Sequence, residues 1–391
     1  MFGLYQMAFG ALTWGNVVMI IIAGVLIYLG IAKRFEPLLL VPIGFGIILV
    51  NIPLGGMMVY TADGFPAESA TLSQLLKDIG AGNIGLLNVL YVYGVKSEII
   101  PFLIFLGLGA LIDFSPTIAR PVSLFFGATA QLGVFVVFFI AYASGLFTLN
   151  EAACVGMIGG SDGPPTIYLT AALAPQILGP VALAAYSYMA LVPIIQPPII
   201  RLFTSKRERA IYMKPQVREV SKLELVLFPI IIFTVAALFV PKAAPIVGML
   251  MFGNLLRVTG VTDRLAQSAG TVFVDVLTFL LGLTVGALMT AQIFLTAKTL
   301  AIVGLAAVAF AFSTVGGLLG AKLLNLFLKQ KLNPMIGAAG VSAVPMAARV
   351  VQRMGQKANP RNFLLMHAMG PNIAGVIGTA VVTGILYGML K

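Results

Sequence analysis

Apolar runs of about 20 residues recur along the whole of this 391-residue sequence, and that spacing constrains the fold more than any other feature. Lipid offers no partner to a backbone amide or carbonyl. Only helices and closed barrels therefore cross it, and the alternating pattern of a barrel is absent here. Runs fall near 17–32, 37–54, 97–112, 121–146, 178–200, 224–240, 243–256, 271–296, 299–328 and 363–390. Charged residues make up 9% of the chain, against about 25% in a typical soluble domain. The expected fold is an all-α polytopic membrane protein with about ten spanning segments, some of them broken.

The net charge of +11 invites a nucleic-acid partner, but its distribution argues against one. Seven basic residues fall in one stretch, RLFTSKRERAIYMKPQVREVSK, 201–222. Others lie at Lys33 and Arg34, at Lys329 and Lys331, and from Arg349 to Arg361. This is positive-inside asymmetry, and it assigns those loops to the cytoplasm. The polar stretch 51–83 carries acids and a single lysine, Lys77, and is assigned mostly to the outside. No basic residue precedes Lys33, so the first apolar run does not read as a cleavable signal peptide. One cysteine, Cys154, and one histidine, His367, exclude an internal disulfide and a His/Cys metal site.

The basic loop 201–222 divides the chain into an N-terminal transmembrane half, 1–200, and a C-terminal one, 223–391. Each half contains an interrupted segment. IGGSDGPPTIYLTAALA in 151–174 has a counterpart in IGAAGVSAVPMAARVVQ in 333–351. Both place a small polar residue among glycines, add proline and resume as helix. Each is followed by an apolar helix carrying polar residues, AAYSYMALVPIIQPP and then MHAMGPNIAGVIGTAVVTG. Paired interrupted helices in two halves point to a transport site and to a two-fold repeat, which we expect to be inverted.

Glycines 159, 160 and 163 with prolines 164 and 165 make a continuous helix improbable around Asp162. The freed backbone must line a cavity or be buried in protein. An aspartate at the membrane centre costs about 3 kcal/mol on insertion scales, so its retention points to function. A carboxylate among carbonyl and hydroxyl oxygens suits a hard cation, and the same group can carry a proton. The second break offers Asn333 and Ser342. The last helix adds His367, Gly370, Pro371 and Asn372, and the helix after the first break adds Ser187 and Tyr188. Arg349, in PMAARVVQRM, is either an interface anchor or a partner for an anionic substrate. Asp275 divides between an ion path and a buried structural pair, while Glu98, Asp113 and Glu151 read as interface acids at segment ends. Plain structural roles compete at several positions: a helix cap for Asp162 or Asn333, helix packing for Ser342 and Asn372, and a packed histidine for His367.

Three blocks, GGSDGPPTIYLT, NPMIGAAGVSAVPMAARVVQ and HAMGPNIAGVIGTAV, resemble the membrane β subunit of the sodium-pumping, biotin-dependent decarboxylases, and a looser likeness covers most of the chain. That family acts on oxaloacetate, methylmalonyl-CoA, glutaconyl-CoA or malonate. Its first motif usually carries threonine directly after one proline. Here a second proline, Pro165, stands there and Thr166 follows. The resemblance implies a translocase of the bacterial inner membrane. A cytoplasmic carboxyltransferase α subunit loads biotin on a carrier protein. The β subunit then releases CO2 from carboxybiotin, consumes an external proton and moves Na+ outward. It implies a small γ/δ membrane-anchored subunit and a homo-oligomer, with a trimer favoured. Carried over by position, the resemblance puts Asp162, Asn333, Ser342 and Asn372 at sodium. It puts Tyr188 and Ser342 with Asp162 in proton transfer, and Arg349 with Asn372 at carboxybiotin. No Met-Lys-Met biotinylation site occurs in the chain, so biotin arrives on a partner. From the residues alone, a sodium-coupled secondary transporter of a small organic anion fits the paired breaks equally well, and a purely structural membrane subunit is the third reading.

Overall fold

Helix breaks, not strands, organise this chain. In the computed structural model, residues 8–61, 66–69, 71–214 and 218–391 are described, and every named element among them is helical. The parts of the two polar loops at 62–65, 70 and 215–217 lie outside the described residues.

Among the described residues, six helices are long and apolar enough to cross a bilayer: Trp14–Ala32, Val122–Ala143, Lys222–Phe239, Asp263–Ala287, Ala297–Phe327 and Leu365–Leu390. Two bent pairs raise the number to eight: Leu86–Lys96 with Ile99–Leu111, at 61°, and Pro175–Met189 with Leu191–Phe203, at 66°. The helices Pro37–Asn51 and Ala244–Val258 have 15 residues each, short of a straight crossing. By length and composition, then, the expected ten segments become six to eight. The bends have local causes. Glu98 takes a left-handed φ of 68° between the first pair, and Pro193 removes the amide that would bond the Met189 carbonyl in the second. The run expected at 271–296 starts earlier, at Asp263, through a π turn at Ala269–Phe273. Within the polar stretch 51–83, Leu72–Gly80 forms a short helix capped by the Thr71 side chain.

The helices sort into two packing groups. A framework group contains Trp14–Ala32, Pro37–Asn51, Leu86–Leu111, Lys222–Val258 and Asp263–Ala287. A central group contains Val122–Ala143, Leu178–Phe203, Ala297–Phe327, Leu365–Leu390 and the two broken segments. The framework pairs helices across the halves of the chain: Pro37–Asn51 packs on Val274–Ala287, and Ala244–Val258 packs on Ile99–Leu111. Glycines allow both crossings. A Cβ at Gly46 would stand 2.2 Å from the Leu283 carbonyl oxygen, and one at Gly286 would stand 2.1 Å from that of Ile43. At Gly253 and Gly109 the corresponding distance is 1.9 Å, to the carbonyl oxygens of Leu106 and Leu250. Lipid gives helices no hydrophobic drive to associate, so such close approach supplies the dispersion contact that holds them. The central group pairs helices reciprocally too: Leu178–Phe203 packs on Ala297–Phe327, and Leu365–Leu390 packs on Val122–Ala130.

Overpacking a crossing of this kind costs about 1–3 kcal/mol. Gly286→Val is expected to lower the thermal unfolding midpoint of the detergent-solubilised chain clearly. Gly304→Ala, where an added Cβ meets nothing within 4 Å, is the control and leaves the midpoint in place.

Candidate functional site

The first broken segment runs as helix Leu149–Met157, a tight turn over Ile158–Gly160, and helix Gly163–Leu173. Ser161 turns the chain with φ 59°, and Asp162 is extended. Asp162 stands at the position of an N-cap, yet its side chain caps nothing. The reason is in the sequence. A capping carboxylate accepts from the amides two and three places on. Here those residues are Pro164 and Pro165, which have no amide hydrogen. Asp162 is 5% exposed, and its Oδ2 is buried with no hydrogen-bond partner. The Thr166 hydroxyl donates to the Asp162 backbone carbonyl at 2.7 Å and closes the start of the helix instead. The capping role that competed for Asp162 is thus denied by its neighbours.

The second broken segment is the short helix Met335–Ala338, an irregular stretch, and helix Met346–Ala358. Asn372 on the last helix secures its tip, donating to the carbonyls of Ala339 at 3.0 Å and Val341 at 2.6 Å. The Asn372 Oδ1 stays buried and unpartnered. Ser342 follows, its hydroxyl 2.8 Å from that of Thr379. The Thr379 hydroxyl also lies 2.9 Å from the Gly375 carbonyl of its own helix and 3.2 Å from the Gly160 carbonyl, two acceptors that share its proton, and it accepts from the Gln131 amide at 3.3 Å. One threonine therefore joins the tips of both breaks.

Asp162 and Ser342 line one cavity of about 190 Å³. It lies where the two packing groups meet. The central group contributes Asp162, Pro164, Tyr186 and Ser342, and the framework contributes Glu36, Ile104 and Thr278. Tyr186 packs closely against Gly163: a Cβ there would stand 2.0 Å from the ring.

Other residues singled out from the sequence stand elsewhere. The Asn333 amide donates to the carbonyls of Arg209 at 2.9 Å and Ile211 at 3.0 Å, and its Oδ1 accepts from the Met335 amide. Asn333 ties the second break to the basic loop and does not line the cavity. Tyr188 is half-buried, its ring 5.9 Å from that of Phe310; Tyr186, about 200° around the helix, is the one in the cavity. Arg349 is exposed on Met346–Ala358, in register with the exposed Arg353 and Lys357. That helix and the basic loop enclose a space of about 490 Å³ lined by Arg201, Lys206, Arg209 and Lys357. His367 is buried and its Nε2 stands 3.0 Å from the Lys214 carbonyl. Asp275 is exposed, so it is not a buried structural pair within this chain. Glu151 is 2% exposed; it caps its own helix and pairs with Lys298 at 2.8 Å. In the basic loop, burial alone would raise the Glu208 carboxyl. The Ser205 backbone amide and Lys322, 3.0 Å away, outweigh it and hold the group below its ordinary range.

Thr379, Gln131, Tyr186 and Glu36 escaped the sequence reading. Thr379 had a signal: Asn372, Gly375, Thr379 and Thr383 follow helical spacing on the last helix. Gln131 and Glu36 had none, because their roles come from helices distant in sequence.

This geometry is a membrane site of oxygen donors built from two broken helices. Comparisons with known proteins give the family. Residues 15–390 match the family described as the Na+-transporting oxaloacetate decarboxylase beta subunit. The methylmalonyl-CoA decarboxylase subunit beta of Propionigenium modestum is 54% identical over 383 residues, 98% of this chain and 96% of that one. The glutaconyl-CoA decarboxylase subunit beta of Acidaminococcus fermentans is 48% identical over 382 residues, covering 98% and 95%. The oxaloacetate decarboxylase beta chain of Klebsiella pneumoniae is 44% identical over 422 residues, covering 98% and 96%. The chain belongs to the beta subunits of the Na+-transporting decarboxylases, a family of multi-pass bacterial membrane proteins within multi-subunit complexes.

Thr379→Val keeps the shape of the side chain and removes its hydroxyl. It leaves buried acceptors and donors at both breaks unpaired, a loss of about 1–3 kcal/mol. A lower unfolding midpoint, together with weaker Na+ dependence of activity, is the expected outcome. Equal midpoints for variant and native chain would contradict the bridge.

Proposed function

We propose that this chain releases CO2 from carboxybiotin presented by a partner carrier protein, and couples that step to outward Na+ movement and uptake of an external proton. The observation that carries the reading is Asp162: a buried carboxylate, stripped of its cap donors by Pro164 and Pro165, lining one cavity together with Ser342. Na+ is cargo here and carboxybiotin is substrate. The unpartnered Asp162 oxygen and the Ser342 hydroxyl line the same cavity and are oxygen donors of the kind a hard cation takes, while the unpartnered oxygens of Asn372 and Gln131 belong to residues that bind the two breaks from neighbouring helices.

In the release step the bond between the ureido nitrogen of biotin and its carboxylate breaks. The electron pair returns to nitrogen, which takes a proton, and CO2 leaves. The protein need only orient the group, limit water and deliver the proton. Asp162 is the proton and Na+ carrier in this scheme, with Ser342 as its partner. Na+ and H+ then compete for one carboxylate, and that competition is the coupling. Arg349, Arg353 and Lys357 form an exposed basic ridge along Met346–Ala358, of which Lys357 lines the 490 Å³ space, and are assigned to the anionic, carrier-borne carboxylate. Asn372 holds the tip of the second break. Asn333 is assigned to fixing that break against the basic loop, and Tyr188 to seating the helix that presents Tyr186. On the opposite face, Tyr387 lies 3.5 Å from Glu98 and stacks on Tyr168 of the helix Gly163–Leu173, a polar route for the external proton.

We infer ten crossings in an inverted repeat. Each half then supplies five crossings and one re-entrant broken segment, and the half starting at Lys222 begins on the side opposite to Trp14. Three observations support this. The basic clusters at 33–34, 201–222, 329–331 and 349–361 all fall on one side in this scheme, with single lysines such as Lys242 on the other, the two 26-residue helices Leu178–Phe203 and Leu365–Leu390 occupy matching places, and the helix pairings are reciprocal. A carboxyltransferase α subunit, a biotin carrier and a small γ/δ membrane-anchored subunit are the proposed partners, with the chain itself assembling as a trimer.

Two measurements test this. With a carboxybiotin-loaded carrier, Na+-dependent CO2 release by the native chain is expected, and Asp162→Asn is expected to reduce it about 100-fold or more, the scale of a lost acid–base group. No release, combined with Na+-driven anion uptake into vesicles, would instead make the chain a sodium-coupled carrier. For topology, Gly82→Cys should react with an impermeant maleimide only from outside and Arg207→Cys only from the cytoplasm. The native Cys154 is buried and gives little background.

A further inference from the structure

The cavity that holds Asp162 has a second carboxylate. Glu36 lines it from the framework side, whereas Asp162 lines it from the central group. Glu36 sits in the turn between Trp14–Ala32 and Pro37–Asn51, directly after Lys33 and Arg34, which are exposed and belong to a cytoplasmic loop by charge. Its backbone is left-handed, φ 38°, which a non-glycine residue adopts only where its surroundings hold it. The Glu36 carboxylate makes no hydrogen bond or ion pair among the described residues, although Lys33 and Arg34 are its sequence neighbours. It is half-buried, while the Asp162 oxygen further in is fully buried and unpartnered. Thr278 adds a hydroxyl to the same lining. The rest is largely apolar: Leu39, Ile104, Leu108, Val274 and Val376. In such a lining a carboxylate acts at a distance, because few dipoles compete with its field.

We propose that Glu36 is the cytoplasmic-side receiving ligand for the cation: it draws Na+ into the cavity from the Lys33–Arg34 face and hands it to Asp162 across the boundary between the two packing groups. No bond is made or broken in this step. A hydrated cation exchanges water for carboxylate oxygen at Glu36, then for the oxygens at Asp162. Glu36 is a positioning residue for the ion and takes no part in releasing CO2. This rests on the proposed Na+ site at Asp162, and the test separates the two.

The test measures equilibrium 22Na+ binding to the full-length chain, and the Na+ dependence of CO2 release by the whole complex. Glu36→Gln is expected to raise half-saturating Na+ about tenfold in both assays, the scale for removing one charge near a cation in a partly screened site. Glu36→Asp should raise it less. Unchanged half-saturation in both variants overturns the proposal. Glu36→Cys gives a comparison within one folded protein. Labelled with a negatively charged sulfonatoethyl methanethiosulfonate it should bind Na+ more tightly than when labelled with a neutral analogue; equal affinities overturn the proposal. Asp162→Asn in the same binding assay addresses the underlying site. Native-like 22Na+ binding by that variant removes the cation site itself. Loss of binding there, with no shift in Glu36→Gln, removes only the role of Glu36.

Discussion

Backbone groups freed inside a bilayer must find partners in protein, and the architecture depends on how the two helix breaks meet that demand. They do so through each other. The last helix runs past both tips, with Asn372 holding the carbonyls of Ala339 and Val341 and Thr379 linking Ser342 to the Gly160 carbonyl. Neither break is satisfied by its own segment alone. Their pairing in sequence thus has a chemical basis: each tip lacks donors or acceptors that the last helix provides, and a single hydroxyl serves both.

Satisfaction is incomplete, and the gaps share a character. The oxygens of Asp162, Asn372 and Gln131 that lack partners are all acceptors. A buried acceptor without a donor is costly, and Gln196, which donates to the Ala338 carbonyl of the second break, adds a fourth unpartnered oxygen, so the breaks are bordered by spare acceptors rather than spare donors. The proline pair after Asp162 belongs to the same logic. Prolines in the first turn of a helix are unremarkable, because those amides have no intrahelical partner. Directly after an aspartate they remove its ordinary occupation as a cap and leave the carboxylate available to a proton or a cation.

Much of this was legible in the sequence. Helix was forced by apolar runs and the breaks by glycine and proline. Asp162, Ser342 and Asn372 were found because polar groups stand out in apolar surroundings. Less visible was anything that depends on azimuth around a helix. Tyr186 and Tyr188 read alike in sequence, and only the packing of Leu178–Phe203 decides which ring reaches the cavity. Asn333 read as an ion ligand because it adjoins the second break, yet the break is long enough to place it at the basic loop. The count of ten came from runs such as 37–54 and 243–256, which are apolar enough to read as crossings, whereas the helices found there, Pro37–Asn51 and Ala244–Val258, have only 15 residues each.

The framework crossings have one further consequence. Pro37–Asn51 from the first half locks onto Val274–Ala287 from the second, and Ala244–Val258 from the second locks onto Ile99–Leu111 from the first. Each lock is a glycine-to-carbonyl seam with no room for a side chain. The halves are therefore laced together like interlocked fingers, and neither can swing as a block while the other stays still. The cavity that Asp162 lines lies at a different seam, the one between framework and central group. The division of the chain at the basic loop and the boundary between its two packing groups therefore cut the molecule along different planes.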